Sequence, residues 1–408
     1  MNRLNDYADV VGKKYIEQLK SLALNLKKKK VIMVNSTKDG GGVAEILHRL
    51  VPLLNELDVH TKWETISGDS DFFNTTKNIH NALQGQRICF TREILDHYLE
   101  INKKNSEKFE FSEDFVFIHD PQPLPIISHF NKKNKNKWIW RCHIDLSKPD
   151  LNLWKFLKYY LLKYDASIFS LAKFSRILPH PQYLVAPSID PLSDKNRELE
   201  KSETDRVVSE FGISLDKPII LQVSRFDRFK GPLGVIRAYR MVKKEINCQL
   251  ILAGGEASDD PEGKIVFDEV SQEAGNDPDI KLLLLKPNSN IEINALQRIA
   301  DVVIQNSSKE GFGLVVTEAL WKGKPVIGGA VGGITLQIID HQTGFLIHSN
   351  EGAAFRIRYL LNRKHISEKM GKLAREYVLN NFLITRHLRD YLAIMIALEN
   401  ENKHIIQV

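Results

Sequence analysis

Short apolar runs recur along the chain, and helix-length stretches with apolar residues at three- and four-residue spacing separate them. This is the pattern of parallel strands joined by crossover helices, because a strand covered on both faces reads as an unbroken apolar run. In the first half the pattern predicts strands over Val31–Asn35, Phe115–His119, Trp138–Cys142, Ser167–Leu171 and Tyr183–Ala186. A second series begins at Pro218–Ser224 and continues through Gln249–Ala253, Lys281–Leu285, Asp301–Ile304 and Pro325–Gly328. Ahead of the first strand, Leu4, Tyr7, Val11, Tyr15, Leu19 and Leu22 recur at helical spacing, and Thr385–Leu398 does so near the end.

Between the two series lies Ala186-Pro187-Ser188-Ile189-Asp190-Pro191-Leu192, whose prolines exclude a regular helix and mark a hinge. A chain of 408 residues also exceeds what one ordinary core serves. The expected fold class is therefore α/β, with two Rossmann-like doubly wound domains facing across a cleft. The first spans 1–187, with the C-terminal segment 385–408 packing back on it; the second spans 188–384. In such domains ligands bind at the carboxyl ends of the strands.

Composition narrows the class without naming it. The net charge of +6 is modest for this length and gives no footprint of a nucleic-acid binder. The lysines at 27–30 and between Lys132 and Lys137 flank apolar runs and read as solvated surface. Cys89, Cys142 and Cys248 are few, odd in number and widely spaced, which fits neither a disulfide framework nor a metal site. They suit a reducing compartment. Charged residues interrupt the N-terminal stretch, so no secretory signal is expected, and no apolar run is long enough to span a bilayer. A cytoplasmic protein with no membrane partner is the simple expectation.

Candidate chemistry collects where the predicted strands end. Gly40-Gly41-Gly42 follows the first strand closely; its amides could approach an anion, or its glycines could serve tight packing alone. Neither the dinucleotide fingerprint nor the P-loop spacing fits it. Arg225 and Lys230 lie just beyond the strand that opens the second half, where two cations could hold a diphosphate leaving group; a surface salt bridge of Arg225 with Asp227 is the plain alternative. The run Glu310-Gly311-Phe312-Gly313-Leu314-Val315-Val316-Thr317-Glu318 sets two carboxylates eight positions apart across a glycine-flanked turn. Glu310 is suited to the hydroxyls of a transferred sugar and Glu318 to a ribose diol. A glycosidase acid–nucleophile pair is a further possibility, against which the neighbouring cations weigh. His119-Asp120-Pro121-Gln122-Pro123 and Trp140-Arg141-Cys142-His143-Ile144-Asp145 each follow an apolar strand, with no spacing typical of zinc ligands.

At these residues the sequence resembles the retaining family-4 glycosyltransferases of GT-B fold. Arg225, Lys230 and the Glu310–Glu318 run carry the broad pattern. A narrower likeness, to trehalose glycosyltransferring synthases, rests on Val34-Asn35-Ser36-Thr37 leading into Gly40–Glu45, on Phe72–Lys77, on His80–Gly85, on His119–Pro123 and on Trp140–Ser147. The resemblance implies transfer of glucose, with retention, from ADP-, UDP- or GDP-glucose to glucose, forming α,α-trehalose.

It assigns Arg225, Lys230, Glu318, Gly41, Gly42 and Val315 to the nucleotide diphosphate, and Glu310, Gly311, Phe312, Gly313, Gly332 and Gly333 to the donor sugar. The Val331-Gly332-Gly333 amides would flank the phosphates and sugar. His143 would lie near the reacting glucose. Asn74, Lys77, His80, Asn81, Gln84, Asp120 and Asp145 would form the acceptor pocket. No tightly bound cofactor is implied, no motif requires a divalent metal, and a homodimer acting on small sugars is expected. The segment Lys286–Asn290, where base contacts are expected, looks shorter than the family pattern and leaves base preference open. A trehalose phosphorylase using glucose 1-phosphate, and a non-catalytic nucleotide-sugar sensor, are the competing readings.

Overall fold

The computed structural model describes residues 3–130, 136–255 and 261–400. Lys132–Lys135 of the basic stretch, and residues 401–408 of the expected C-terminal segment, lie outside the described residues. The chain forms two compact units. One runs to Ser188 and takes in the segment from Ile384 onward; the other is Ile189–Leu383.

The first unit holds strands β1 Lys30–Asn35, β2 His60–Thr65, β3 Phe115–His119, β4 Lys137–Arg141, β5 Ala166–Phe169 and β6 Gln182–Leu184. They form one parallel sheet in the order β2-β1-β3-β4-β5-β6. The second holds β7 Ile219–Val223, β8 Gln249–Gly255, β9 Ile280–Leu285, β10 Val302–Gln305, β11 Val326–Gly329 and β12 Gly344–Ile347. Its parallel order is β12-β11-β10-β7-β8-β9, which is the dinucleotide-binding order read from the opposite edge. Strand order reverses between β1 and β3 in the first sheet and between β7 and β10 in the second. At such reversals the connecting segments leave in opposite directions and open a crevice at the carboxyl ends of the strands.

The central strands are buried throughout, as Val31–Val34 and Phe115–Ile118 show. Trp138 on β4 packs against Phe111 and Phe130, with ring centroids at 4.8 and 5.7 Å. Helices cover the sheets by their apolar faces. The helix Ser70–Leu83, for example, buries Phe72, Ile79 and Leu83.

Several local expectations shift. The N-terminal helical stretch breaks at Gly12, whose φ of +87° separates Ala8–Val11 from the helix Lys13–Ala23. β5 ends at Phe169 rather than Leu171, and β6 at Leu184 rather than Ala186. Strands β2 and β12 were not anticipated; both are sheet edges. The helix Ile384–Glu399 belongs to the first unit and packs on the helices Lys13–Ala23 and Gly41–Glu56. Among the described residues no helix is long and apolar enough to cross a membrane.

Candidate functional site

In the second unit, β7 and β10 flank the switch point, and each delivers a loop there. After β7 the chain makes a turn in which Asp227 Oδ1 accepts from the Phe229 amide at 2.7 Å, followed by a single 3-10 turn over Arg228–Lys230. Gln222, buried on β7, donates its Nε2 to the Lys230 carbonyl at 2.8 Å. The Ser308 amide, from the β10 loop, donates to the Phe229 carbonyl at 2.8 Å. The two loops are thereby tied backbone to backbone.

The result is an ion pair: Lys230 Nζ lies 2.6 Å from Glu310 Oε2, the side chains being 18% and 9% exposed. Ser307 Oγ donates to the same oxygen at 3.2 Å and accepts from Gln305 Nε2 at 3.0 Å. Both contacts fall on Oε2, so neither ties Oε1. Arg225 stands apart from this pair. Its side chain is 68% exposed and its guanidinium is 3.5 Å from Asp227 Oδ2, the arrangement of the plain salt-bridge alternative.

The Glu310 loop is packed against the turn after β11. A Cβ on Gly332, which has φ +47°, would lie 1.7 Å from the Glu310 carbonyl oxygen, and one on Gly333 would lie 2.4 Å from Phe312 Cα. Only glycine permits that approach. The Val331–Gly333 turn, expected to flank the phosphates and sugar, lies against that loop. The Gly333 amide donates to the Glu310 carbonyl at 3.2 Å and the Val331 amide to the Gly329 carbonyl at 2.7 Å, so both already serve loop closure. Gln337 completes the clamp, donating Nε2 to the Gly333 carbonyl at 3.2 Å and bonding the Phe312 carbonyl and Thr317. Phe312 is buried edge-on against Phe382. Gly313 caps the helix Leu314–Trp321 with φ +84°, and Val315 on its first turn is half-buried, its carbonyl 3.4 Å from Gln297 Nε2.

Glu318, further along that helix, is almost wholly buried, and its Oε1 is 3.7 Å from Lys195 Nζ. Lys322, one turn on, donates to Asn196 Oδ1 at 3.1 Å and to the Glu318 carbonyl at 3.2 Å. Burial pushes the Lys322 ammonium down to about 7, and the Glu318 charge offsets part of that effect. The two carboxylates of the motif therefore have different surroundings, one in a loop-borne ion pair and one within a buried basic cluster.

The first unit carries the other candidates. Gly40 and Gly41 take φ +72° and +78° where the chain turns from β1 into the helix Gly41–Glu56, and a Cβ on either would meet nothing within 4 Å. Backbone conformation, not close packing, calls for glycine there. At the end of β3, Asp120 adopts φ +63° and its Oδ1 accepts from the His143 amide at 2.7 Å. Burial raises the Asp120 carboxyl to about 7. His119 Nδ1 and His143 Nε2 are 3.1 Å apart with their rings nearly parallel. Burial first, and then the Arg141 charge, hold His119 down to about 3 and His143 well below the usual imidazole range.

Asn74, Lys77, Asn81 and Gln84 share one side of the segment Ser70–Gln84 at helical spacing, with His80 beside them. Asn74 and Lys77 are exposed and the other three half-buried. Asp145 accepts from the Ser147 amide at 2.8 Å within its own turn. Sequence patterns did not single out Ser307, Gln337, Gln222 or Lys195, which are polar residues without a motif. Ser307 carried the best available signal, three positions ahead of Glu310 on the same loop. Among the described residues no group of three or more His, Cys, Asp or Glu is placed to hold a metal ion.

Comparison with known proteins bears on the family and the fold. The family profile for the trehalose synthase N-terminal domain matches residues 33–176, and that of the group 1 glycosyl transferases matches residues 203–377. Over 399 residues the chain is 48% identical to the trehalose synthase of Thermococcus litoralis, covering 96% of each. It is 29% identical over 430 residues to the trehalose phosphorylase of Pleurotus pulmonarius, covering 92% of this chain and 58% of that one. A solved UDP-forming α,α-trehalose-phosphate synthase of Burkholderia xenovorans has a TM-score of 0.72 at 14% identity, over 91% of this chain and 100% of that chain. That likeness concerns the fold, a two-domain α/β architecture of GT-B type. With one profile on each unit and near-half identity over almost the full length, the chain belongs to the trehalose synthase family of group 1 glycosyltransferases.

Proposed function

We propose that this enzyme moves glucose, with retention of configuration, from a nucleotide diphosphate glucose (ADP-, UDP- or GDP-glucose) to free glucose, forming α,α-trehalose. The observation that carries the reading is the Lys230–Glu310 contact at the β7/β10 switch point. A diphosphate competes with the carboxylate for the ammonium. Its arrival frees Glu310 to accept hydrogen bonds from hydroxyls of the glucose attached to that diphosphate. Arg225, exposed on the same loop, adds a second cation, and Glu318, with Lys195 beside it, takes the ribose diol. Gly41 and Gly42 offer amides to the anion, as helix N-termini do.

In the first unit His143 serves the transferred glucose, and Asn74, Lys77, His80, Asn81, Gln84, Asp120 and Asp145 select the acceptor. In the reaction the bond from the anomeric carbon to the phosphate oxygen breaks while the bond to an acceptor oxygen forms on the same face. The acceptor's hydroxyl proton passes to the departing diphosphate. Fixed cations matter most where that negative charge develops.

Phosphorolysis of trehalose is the second reading, favoured by the 29% identity to a trehalose phosphorylase. The test is a screen of the purified protein with glucose and, in turn, each nucleotide diphosphate glucose or glucose 1-phosphate, followed by the reverse reaction from trehalose. Trehalose formed from a nucleotide sugar supports the proposal. Turnover with glucose 1-phosphate alone would transfer the assignment to the phosphorylase reading, and binding without product from any donor would support a sensor.

A further inference from the structure

His119 ends β3, Arg141 ends β4, and the two are register partners in a parallel pair, so their side chains project from the same face. The helix Ile384–Glu399 covers that face. Its Tyr391 stacks on Phe117, two residues before His119, at 5.2 Å, and His387 stacks on Tyr391 at 4.8 Å. Under this cover His119 is 1% exposed and Arg141 fully buried. Arg141 donates Nη2–H to the Val185 carbonyl at 2.8 Å and lies 3.4 Å from Ser170 Oγ. Its Nε and Nη1 are buried with no hydrogen-bond partner, as is His119 Nε2. The other titratable groups that meet this cluster are Asp120, Cys142, His143, His387, Tyr391 and Arg386, the last paired with Asp390 at 2.8 Å.

The 3.1 Å contact between His119 Nδ1 and His143 Nε2 holds one proton, and which ring donates it is a question of tautomer. Both rings are neutral in this buried, positively charged setting. His119 Nε2 is buried without a partner, where an orphaned N–H is rarer than an orphaned lone pair, and the permanent Arg141 cation on the same face adds to the cost of a further positive bond dipole. That places the lone pair of His119 on Nε2 and its proton on Nδ1.

We propose that Arg141 and His119 are positioning residues that fix the tautomer of His143: His119 donates Nδ1–H, His143 accepts at Nε2, and His143 therefore carries its own proton on Nδ1. Resting on the glucosyl-transfer reading above, His143 then presents a hydrogen-bond donor, not an acceptor, to an oxygen of the transferred glucose. Arg141 touches no substrate; it acts through two rings.

The experiment is long-range 1H–15N correlation of histidine side chains in the full-length protein labelled at histidine, with His119→Asn and His143→Gln variants used for assignment. The expected spectrum has His143 protonated at Nδ1 and unprotonated at Nε2; a His143 protonated at Nε2 overturns the proposal. Two variants at His119 supply the functional arm, each first checked for native circular dichroism. Asn can turn its amide toward His143, so His119→Asn should transfer glucose at close to the native rate. His119→Leu removes the donor and should lower kcat by about 10²-fold, with the KM for donor little changed. Equal rates in the two variants would overturn the positioning role without requiring Arg141 to be altered. The Nδ1–H tautomer in a protein that shows no transfer from any donor would support the relay and remove the glucosyl-transfer reading instead.

Discussion

The two switch points of this molecule handle charge in opposite ways. Between β7 and β10, charge is kept: Lys230 and Glu310 meet at 2.6 Å on tied loops, and Arg225 is exposed elsewhere on the Lys230 loop. At the end of β3 in the other unit, charge is suppressed. Burial lowers His119 to about 3 and raises Asp120 to about 7, and the cation that remains, Arg141, is covered by a helix. The contrast follows what each region is proposed to bind. A diphosphate needs fixed charge, whereas a neutral sugar is better recognised by oriented, uncharged donors and acceptors, since an unpaired buried charge costs far more than a buried dipole.

The sharpest way to break that comparison is to remove the carboxylate from the charged pair. Glu310→Ala should lower kcat by about 10³-fold, the scale on which preorganised electrostatic contacts act. Affinity for the free nucleoside diphosphate, read by calorimetry, should stay level or rise, because Lys230 loses its competitor. Loss of nucleotide affinity together with activity would make Glu310 a structural residue.

Gly332→Ala comes next. Its Cβ would overlap the Glu310 carbonyl at 1.7 Å, so the loop must move. Activity should fall steeply and thermal stability should drop by an overpacking cost of about 1–3 kcal/mol or more. Gly275→Ala, also at positive φ but with nothing within 4 Å, is the control. It should cost only the backbone strain of about 1–2 kcal/mol and leave kcat unchanged.

A smaller effect is expected at Arg225, which is 68% exposed. Arg225→Ala should weaken nucleoside diphosphate binding and slow transfer together by about tenfold, the size of a solvent-screened charged contact on a leaving group. Unchanged kcat/KM would remove this cation from the mechanism.

The smallest effect sharpens the uncharged side. A histidine whose folded pKa is depressed to about 3 contributes stability above its unfolded value of 6.5 that is lost as pH falls. Asp120, raised to about 7 from 3.8, runs the other way: it favours the folded state at low pH and less so as pH rises. The two oppose each other between those limits. His119→Asn removes the first and uncovers the second, so urea titrations should show the variant gaining stability at pH 4.5 relative to pH 7, compared with the native protein. The change in slope is bounded by about 1.4 kcal/mol per pH unit. An unaltered profile would mean that His119 is not held neutral by its surroundings.

These contrasts also explain what the sequence made legible. β1, β3, β4, β7, β8 and β10 are interior strands and announce themselves as apolar runs. Strand β2, His60-Thr-Lys-Trp-Glu-Thr, is an edge with one neighbour and little burial, so it carries no such run; β12 is an edge of only four residues. Arg225, Lys230 and Glu310 could be singled out because the first two follow β7 and the third follows β10, each in a local motif. Their pairing could not, since Lys230 and Glu310 are 80 positions apart and meet only through the topology of the sheet. The first unit's polar cluster was less legible still. His119 and His143 were visible at strand ends, but His387 and Tyr391 come from the last helix, and nothing local marks Arg141 as a guanidinium that will be sealed from water. Lys195 beside Glu318 and Gln337 behind Phe312 are likewise contacts of the folded chain, not of the motif.

The proposed reaction is transfer of a glucosyl group, with retention, from a nucleotide sugar to glucose. Its most direct test is carbon NMR of a reaction between α-linked nucleotide diphosphate glucose labelled with 13C in the sugar and unlabelled glucose. Retaining transfer gives α,α-trehalose with the label in one of its two rings and an α anomeric carbon, accompanied by release of the nucleoside diphosphate. A β-linked product, or label appearing only in free glucose, would contradict it.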